Sequence, residues 1–310
     1  MILRLFLGLL LIACAFHGAK AQSGIIYSRD QKAINTGGTA DLMHFDLSSG
    51  KETMLIKGTV PRRGEYNASA SPNGKTISFN TYRYSGWKLA LADYEGGKVT
   101  KVRRFTNRPN YEYNARWSHA GDRVVYEEYN WGTDRLDLFI MDQKTGKVSK
   151  VPNGSGSDRN ASWTYDDKNL VFTQESSSNS EIFLSNLGGT RTNLSQNPAQ
   201  DFASSCSPKA NKVAFLSDRS GKLLLYVMNL DGSGLSCLTP DLPSDPFRFS
   251  NWQNSNAWAY KTYWSPDGEQ IVFNVKSGGD HELFIVNADG TGLKQLTDND
   301  VNDYSPTWVK

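Results

Sequence analysis

The sequence predicts an all-β fold: a six-bladed β-propeller of four-stranded blades, closed by pairing the N-terminal strand with the C-terminal inner strand. Three observations predict it. A short motif recurs without gaps, as Asn114-Ala115-Arg116-Trp117-Ser118, Asn160-Ala161-Ser162-Trp163-Thr164 and Thr262-Tyr263-Trp264-Ser265. Nine residues after each Trp an aromatic sits in an apolar run: Tyr126, Phe172 and Phe273. Finally, the chain opens on Ile25-Ile26-Tyr27-Ser28, a second strand with no first, and ends on Ser305-Pro306-Thr307-Trp308, a first strand with no second. Each end supplies what the other lacks, and closing a ring leaves only short protected edges.

The elements follow in order. Residues 1–21 are expected to be a signal peptide: Arg4, an apolar stretch from Leu5 to Ala15, and the small-x-small site Ala19-Lys20-Ala21. Eleven apolar residues are too few to span a bilayer, and no later segment approaches eighteen, so no transmembrane span is expected. The competing reading takes Leu11-Ile12-Ala13-Cys14 as a lipobox and leaves a lipid anchor on Cys14. Residues 22–310 form the propeller. Degenerate repeat copies centred on Ala70 and Cys206 keep the nine-residue offset, to Phe79 and Phe215. The anchors 70, 117, 163, 206, 264 and 308 lie 47, 46, 43, 58 and 44 residues apart, a blade-sized period. Within each unit an inner strand A and an aromatic strand B precede a strand C, ending at Asp231-Gly232 or Asp289-Gly290 turns, and a short strand D.

Composition agrees. Of 310 residues, 38% are hydrophobic and 12% aromatic, with 27 Gly and 11 Pro, which suits many short strands and turns. Basic and acidic residues number 34 and 32. Arg4 and Lys20 fall in the leader, so the remainder is balanced and without a basic run. That excludes the electrostatic footprint of nucleic-acid binding.

The stretch Ser265-Pro266-Asp267-Gly268, then Ile271-Val272-Phe273 and Leu283 through Gly292, resembles the repeat of the TolB-type β-propellers. The resemblance covers essentially the whole propeller and implies the fold directly. It further implies a periplasmic or secreted, monomeric binding or scaffolding module for a protein or peptide of the bacterial envelope. The sequence departs from the family's fuller members in that no α/β domain is expected before the first blade strand.

Two sets of candidate binding residues emerge. Five residues before the anchors stand Glu65, Glu112, Asp158, Asp201 and Asp303, with Ala259 in the sixth slot. They are expected to ring one mouth of the channel, either capping their strands or forming an acidic funnel for a basic peptide terminus or a divalent cation. Secondly, the link from strand D to the next anchor takes 11 residues from Thr106, Pro152, Ser195 and Thr297 but 25 from Thr239. The insert, about 240–259, carries Phe247, Arg248, Phe249, Trp252 and Trp258, followed by Tyr260 and Lys261. Aromatics on a long loop suggest a partner surface, or else a satellite core.

Chemistry is poorly supplied. His44, His119 and His281 fall on a C strand, an A-to-B turn and another C strand, so no His-built metal site is expected. No G-x-S-x-G occurs. No cofactor is predicted beyond a divalent cation as the alternative occupant of the acidic ring. A carbohydrate-active or metal-dependent enzyme using two channel carboxylates is the alternative function. Cys206 and Cys237, three strands apart in one blade, are expected to be separate thiols.

Overall fold

The computed structural model describes residues 24–31, 37–176, 179–247 and 257–310. The leader therefore lies outside the described residues. No helix among them is long and apolar enough to cross a membrane. The repeat folds into six antiparallel four-stranded sheets. Blade 1 holds β1 (Gly24–Asp30), β2 (Ala40–Asp46) and β3 (Glu52–Ile56). Blade 2 runs β4 (Tyr66–Ala70), β5 (Thr76–Thr81), β6 (Lys88–Glu95), β7 (Lys98–Arg104), and blade 3 β8 (Glu112–Trp117), β9 (Arg123–Asn130), β10 (Arg135–Asp142), β11 (Val148–Lys150). Blade 4 runs β12 (Ser157–Trp163), β13 (Asn169–Glu175), β14 (Ser180–Asn186), β15 (Arg191–Asn193), and blade 5 β16 (Asp201–Cys206), β17 (Lys212–Ser217), β18 (Leu224–Asn229), β19 (Ser236–Cys237). Blade 6 runs β20 (Thr262–Trp264), β21 (Gln270–Ser277), β22 (Asp280–Asn287), β23 (Lys294–Gln295), and β24 (Asp303–Val309) returns to blade 1.

The predicted closure is present. β24 pairs antiparallel with β1, Gly24 opposite Val309 and Ile25 opposite Trp308, and every residue of β24 is buried. Cys206 and Cys237 are both free thiols, on opposite edges of their blade.

The periodic aromatics explain how the blades pack. In four of the six blades the strand-B ring stacks on a strand-C ring directly across the ladder: Tyr126 on Phe139, Phe172 on Phe183, Phe215 on Tyr226 and Phe273 on Phe284, with centroids 5.8 to 6.2 Å apart; Phe79 and Tyr27 face Ala90 and Met43. Such facing aromatic pairs stabilise by about 0.5–1.5 kcal/mol beyond their buried area.

The anchor Trp residues join neighbouring blades. The indole Nε1 of Trp163 donates to the Arg116 carbonyl, that of Trp264 to the Ser205 carbonyl and that of Trp308 to the Tyr263 carbonyl, at 3.0 to 3.2 Å. Each acceptor is the residue before an anchor. In blade 5, where Cys206 replaces Trp, the Cys206 backbone N–H donates to Ser162 Oγ instead. The Trp117 Nε1 is buried and has no acceptor.

Candidate functional site

Six inner strands line the channel, and a bulge decides which of their side chains face it. In β8, Tyr113 faces Glu127 and Arg116 faces Val125, so three residues on β8 span what two span on β9. The same extra residue occurs in β4, β12 and β16. At each bulge, three residues before the anchor, the backbone is left-handed: Asn67 (φ 52), Asn114 (φ 51), Asn160 (φ 53) and Ala203 (φ 56), with Ser305 (φ 54) in β24. Asn is the side chain that best tolerates this conformation after Gly, which accounts for three of the five.

The bulge flips the in-out alternation of everything upstream. Counted without it, the five acidic residues share a face with Arg116, in the channel. Counted with it they turn the other way, and the acidic funnel is not formed. Glu65, Glu112, Asp158, Asp201 and Asp303 are 0 to 1% exposed. Four of them meet Arg: Asp303 binds Arg29 at 2.6 Å, Glu65 binds Arg83 at 2.8 Å, Asp158 binds Arg191 at 2.7 Å and Asp201 binds Arg219 at 2.9 Å. Glu112 accepts from Thr106 Oγ1. Arg29, Arg191 and Arg219 in turn lie over Tyr27, Phe172 and Phe215. Burial pushes all five carboxyls above the usual range, against the pull of their partners. Three of the five, Asp158, Asp201 and Asp303, thus sit in acid–Arg–aromatic stacks inside the blades, while Glu65 has its Arg alone and Glu112 its Thr; no group of three His, Cys, Asp or Glu among the described residues is disposed to hold a metal.

The insert divides. Arg248 and Trp252, with Phe249, lie outside the described residues. Phe247 and Tyr260 fold down as a satellite core, each 5.5 to 5.7 Å from Phe202, and Tyr260 also packs on His281 at 4.6 Å. Burial lowers the His281 pKa to about 3, so that imidazole is neutral packing material. Trp258 instead reaches the channel mouth, edge-on to Tyr66 and Tyr304 at 5.8 Å. Ala259, filling the sixth acidic slot, is buried in the same cluster.

Lys261 enters the channel itself. Its ammonium donates to Asn160 Oδ1 at 2.5 Å, reaching from blade 6 to blade 4, and to the Trp258 carbonyl at 3.1 Å. Burial, with Arg116 and Arg159 nearby, lowers its pKa to about 7 against the opposing pull of Glu127. Arg116 crosses from blade 3 to lie 4.0 Å over the Tyr263 ring of blade 6. Between these two bars only about 10 Å³ remains open. The channel is therefore two blind chambers rather than a tunnel.

On the face where D-to-A connections emerge, a cleft of about 450 Å³ opens among Tyr66, Trp87, Tyr113, Tyr129 and Trp258, with Arg62, Arg63 and Arg159 around it and Glu127 the carboxylate in its wall. Arg159 is paired with Glu175, whereas exposed Arg62 has no carboxylate partner among the described residues. The aromatic surface continues outward: Tyr82 meets Trp87 at 5.3 Å, and Trp131, 61% exposed, meets Tyr129 at 4.6 Å and Tyr111 at 5.3 Å. Most of this set escaped sequence reasoning. The available signal was the clustering of Tyr111, Tyr113, Tyr129 and Trp131 about the blade 3 strands.

The chain matches the family described as the TolB beta propeller domain over residues 80–242. The Tol-Pal system protein TolB of Francisella tularensis subsp. mediasiatica is 25% identical over 193 residues, 62% of this chain and 41% of the relative. The match thus spans about two fifths of the length of that relative. Among solved structures, TolB from Acinetobacter baumannii superposes with a TM-score of 0.71 at 18% identity, over 92% of this chain and 66% of that one. The putative TolB from Agrobacterium tumefaciens gives 0.63 at 14% identity, over 93% and 99%. At these identities the structural likeness establishes the fold alone.

Proposed function

The chain belongs to the TolB β-propeller family, and on that premise we propose that it is an exported protein- or peptide-binding module of the bacterial envelope that captures its partner at the D-to-A mouth. One observation carries the reading. Aromatic rings, from exposed Trp131 at the outer end to half-buried Trp258 within, converge there with Arg62, which has no carboxylate partner among the described residues. Aromatic and Arg side chains are the usual anchors of protein interfaces. The mouth has the opposite sign from the acidic funnel expected of the sequence, so the favoured partner segment is apolar with acidic residues rather than basic. The names of the curated relatives, Tol-Pal system proteins, agree with an envelope setting.

Site-directed photocrosslinking tests this. A photoreactive side chain at Trp131 is expected to capture one envelope protein, while the same group at Tyr165, exposed in an A-to-B turn on the other face, captures none. The double change Arg62→Glu with Arg63→Glu is expected to reduce capture at least tenfold. Equal capture from both faces would remove the assignment of the mouth.

A further inference from the structure

We infer that the second blind chamber, at the A-to-B mouth, is a separate ligand site for a small organic carboxylate, its charged end on Arg116 and its apolar body among the anchor Trp rings. The chamber holds about 260 Å³, room for roughly one acylated amino acid. Its wall includes Trp117, Trp163, Trp264 and Trp308, and no Asp or Glu lines it.

At its inner end the Arg116 guanidinium lies 4.0 Å over the Tyr263 ring and makes no hydrogen bond or ion pair with any described residue. Glu127 acts on it only at a distance, and one Glu127 oxygen already serves Asn114 and Asn160. A half-buried guanidinium without a carboxylate partner is free to take one, and its planar fork matches a carboxylate in two parallel bonds. One guanidinium fork at the inner end, apolar rings along the wall, and Lys209 and Lys310 toward the opening suit a negative charge on an organic body. Access is from the A-to-B face, since the bars of Arg116 and Lys261 close the inner end.

Calorimetric titration of the full chain with N-acetylphenylalanine, its carboxamide and phenylacetate tests the site. The expected result is saturable binding of the acid, at least tenfold weaker binding of the amide, loss of acid binding in Arg116→Gln, and unchanged binding in Trp258→Ala. Binding of phenylacetate as tight as that of N-acetylphenylalanine identifies a free small acid as the source, and weaker binding a polypeptide chain end; both uphold the carboxylate site. Equal affinity for acid and amide, no saturable binding, or normal binding in Arg116→Gln overturns it. Thermal melting keeps the variant interpretable. Removing an uncompensated cation leaves Arg116→Gln melting at or above the wild-type temperature, and a variant that fails to fold shows that the protein itself neutralises Arg116, which also overturns the proposal.

Discussion

Replacing Lys261 by Met exchanges a buried amine for an apolar chain of similar length, and its consequence depends on pH in a way that can be worked out beforehand. Lys261 is 3% exposed. A fall in its pKa from 10.5 to about 7 corresponds to roughly 5 kcal/mol of penalty on the charged form. The sign follows from linkage. Between those two values the unfolded chain holds a proton that the folded one has released, so wild-type stability rises with pH there, by up to about 1.4 kcal/mol per unit. Below pH 7 both states are protonated and the penalty is present in full. Met removes it but leaves Asn160 Oδ1 and the Trp258 carbonyl without their donor, at a cost of about 1–3 kcal/mol each. At pH 6 the variant is therefore expected to lie between about 1 kcal/mol less and about 3 kcal/mol more stable than wild type. At pH 9 the difference moves against the variant by about 2–3 kcal/mol. Urea unfolding of both proteins at the two pH values measures this, and the difference cancels titrations they share. A Met-minus-wild-type difference equal at pH 6 and 9 would show that the amine is solvated, and would refute the account of a closed channel.

Three further outcomes are expected. Trp163→Phe removes an indole bond between blades 4 and 3 and should cost about 1 kcal/mol more than Trp117→Phe, whose indole has no acceptor to lose; equal losses by urea unfolding would refute the latch. Native alkylation followed by mass spectrometry should label half-buried Cys237 and spare Cys206, whose thiol burial pushes up to about 12; recovery of a 206–237 crosslink would overturn the blade register. Deleting residues 302–310 removes a wholly buried strand and should abolish cooperative melting, so a truncated protein melting near the full-length temperature would contradict the ring closure.

The blade framework was legible because it repeats. Trp117, Trp163 and Trp264 with their rings nine residues on located strands A and B, and the unpaired strands at the two ends implied the closure. The site was less legible for an identifiable reason. Counting five residues back from an anchor assumes a regular strand, and a single left-handed residue at Asn67, Asn114 or Asn160 inverts the count. The Asn recurring at that position carried the signal, since a repeated Asn inside a strand marks a bulge. Which insert aromatics fold inward was not legible at all. Phe247 and Trp258 are alike in the sequence, and only the neighbouring blades decide that one joins Phe202 and the other Tyr66.

The union of β1 with β24 also has a consequence in time. The two partners stand at opposite ends of the order of synthesis, about 270 residues apart, and a ribosome adding 5–20 residues per second takes roughly 14–55 s to bridge that interval. Throughout it Ile25, Ile26 and Tyr27, all fully buried in the finished ring, belong to a strand whose inner neighbour has not been made. Blades 2 to 6 take all four strands from one continuous stretch and can form as each emerges. Blade 1 cannot. Its first-made strand waits for β24 before the ring can close.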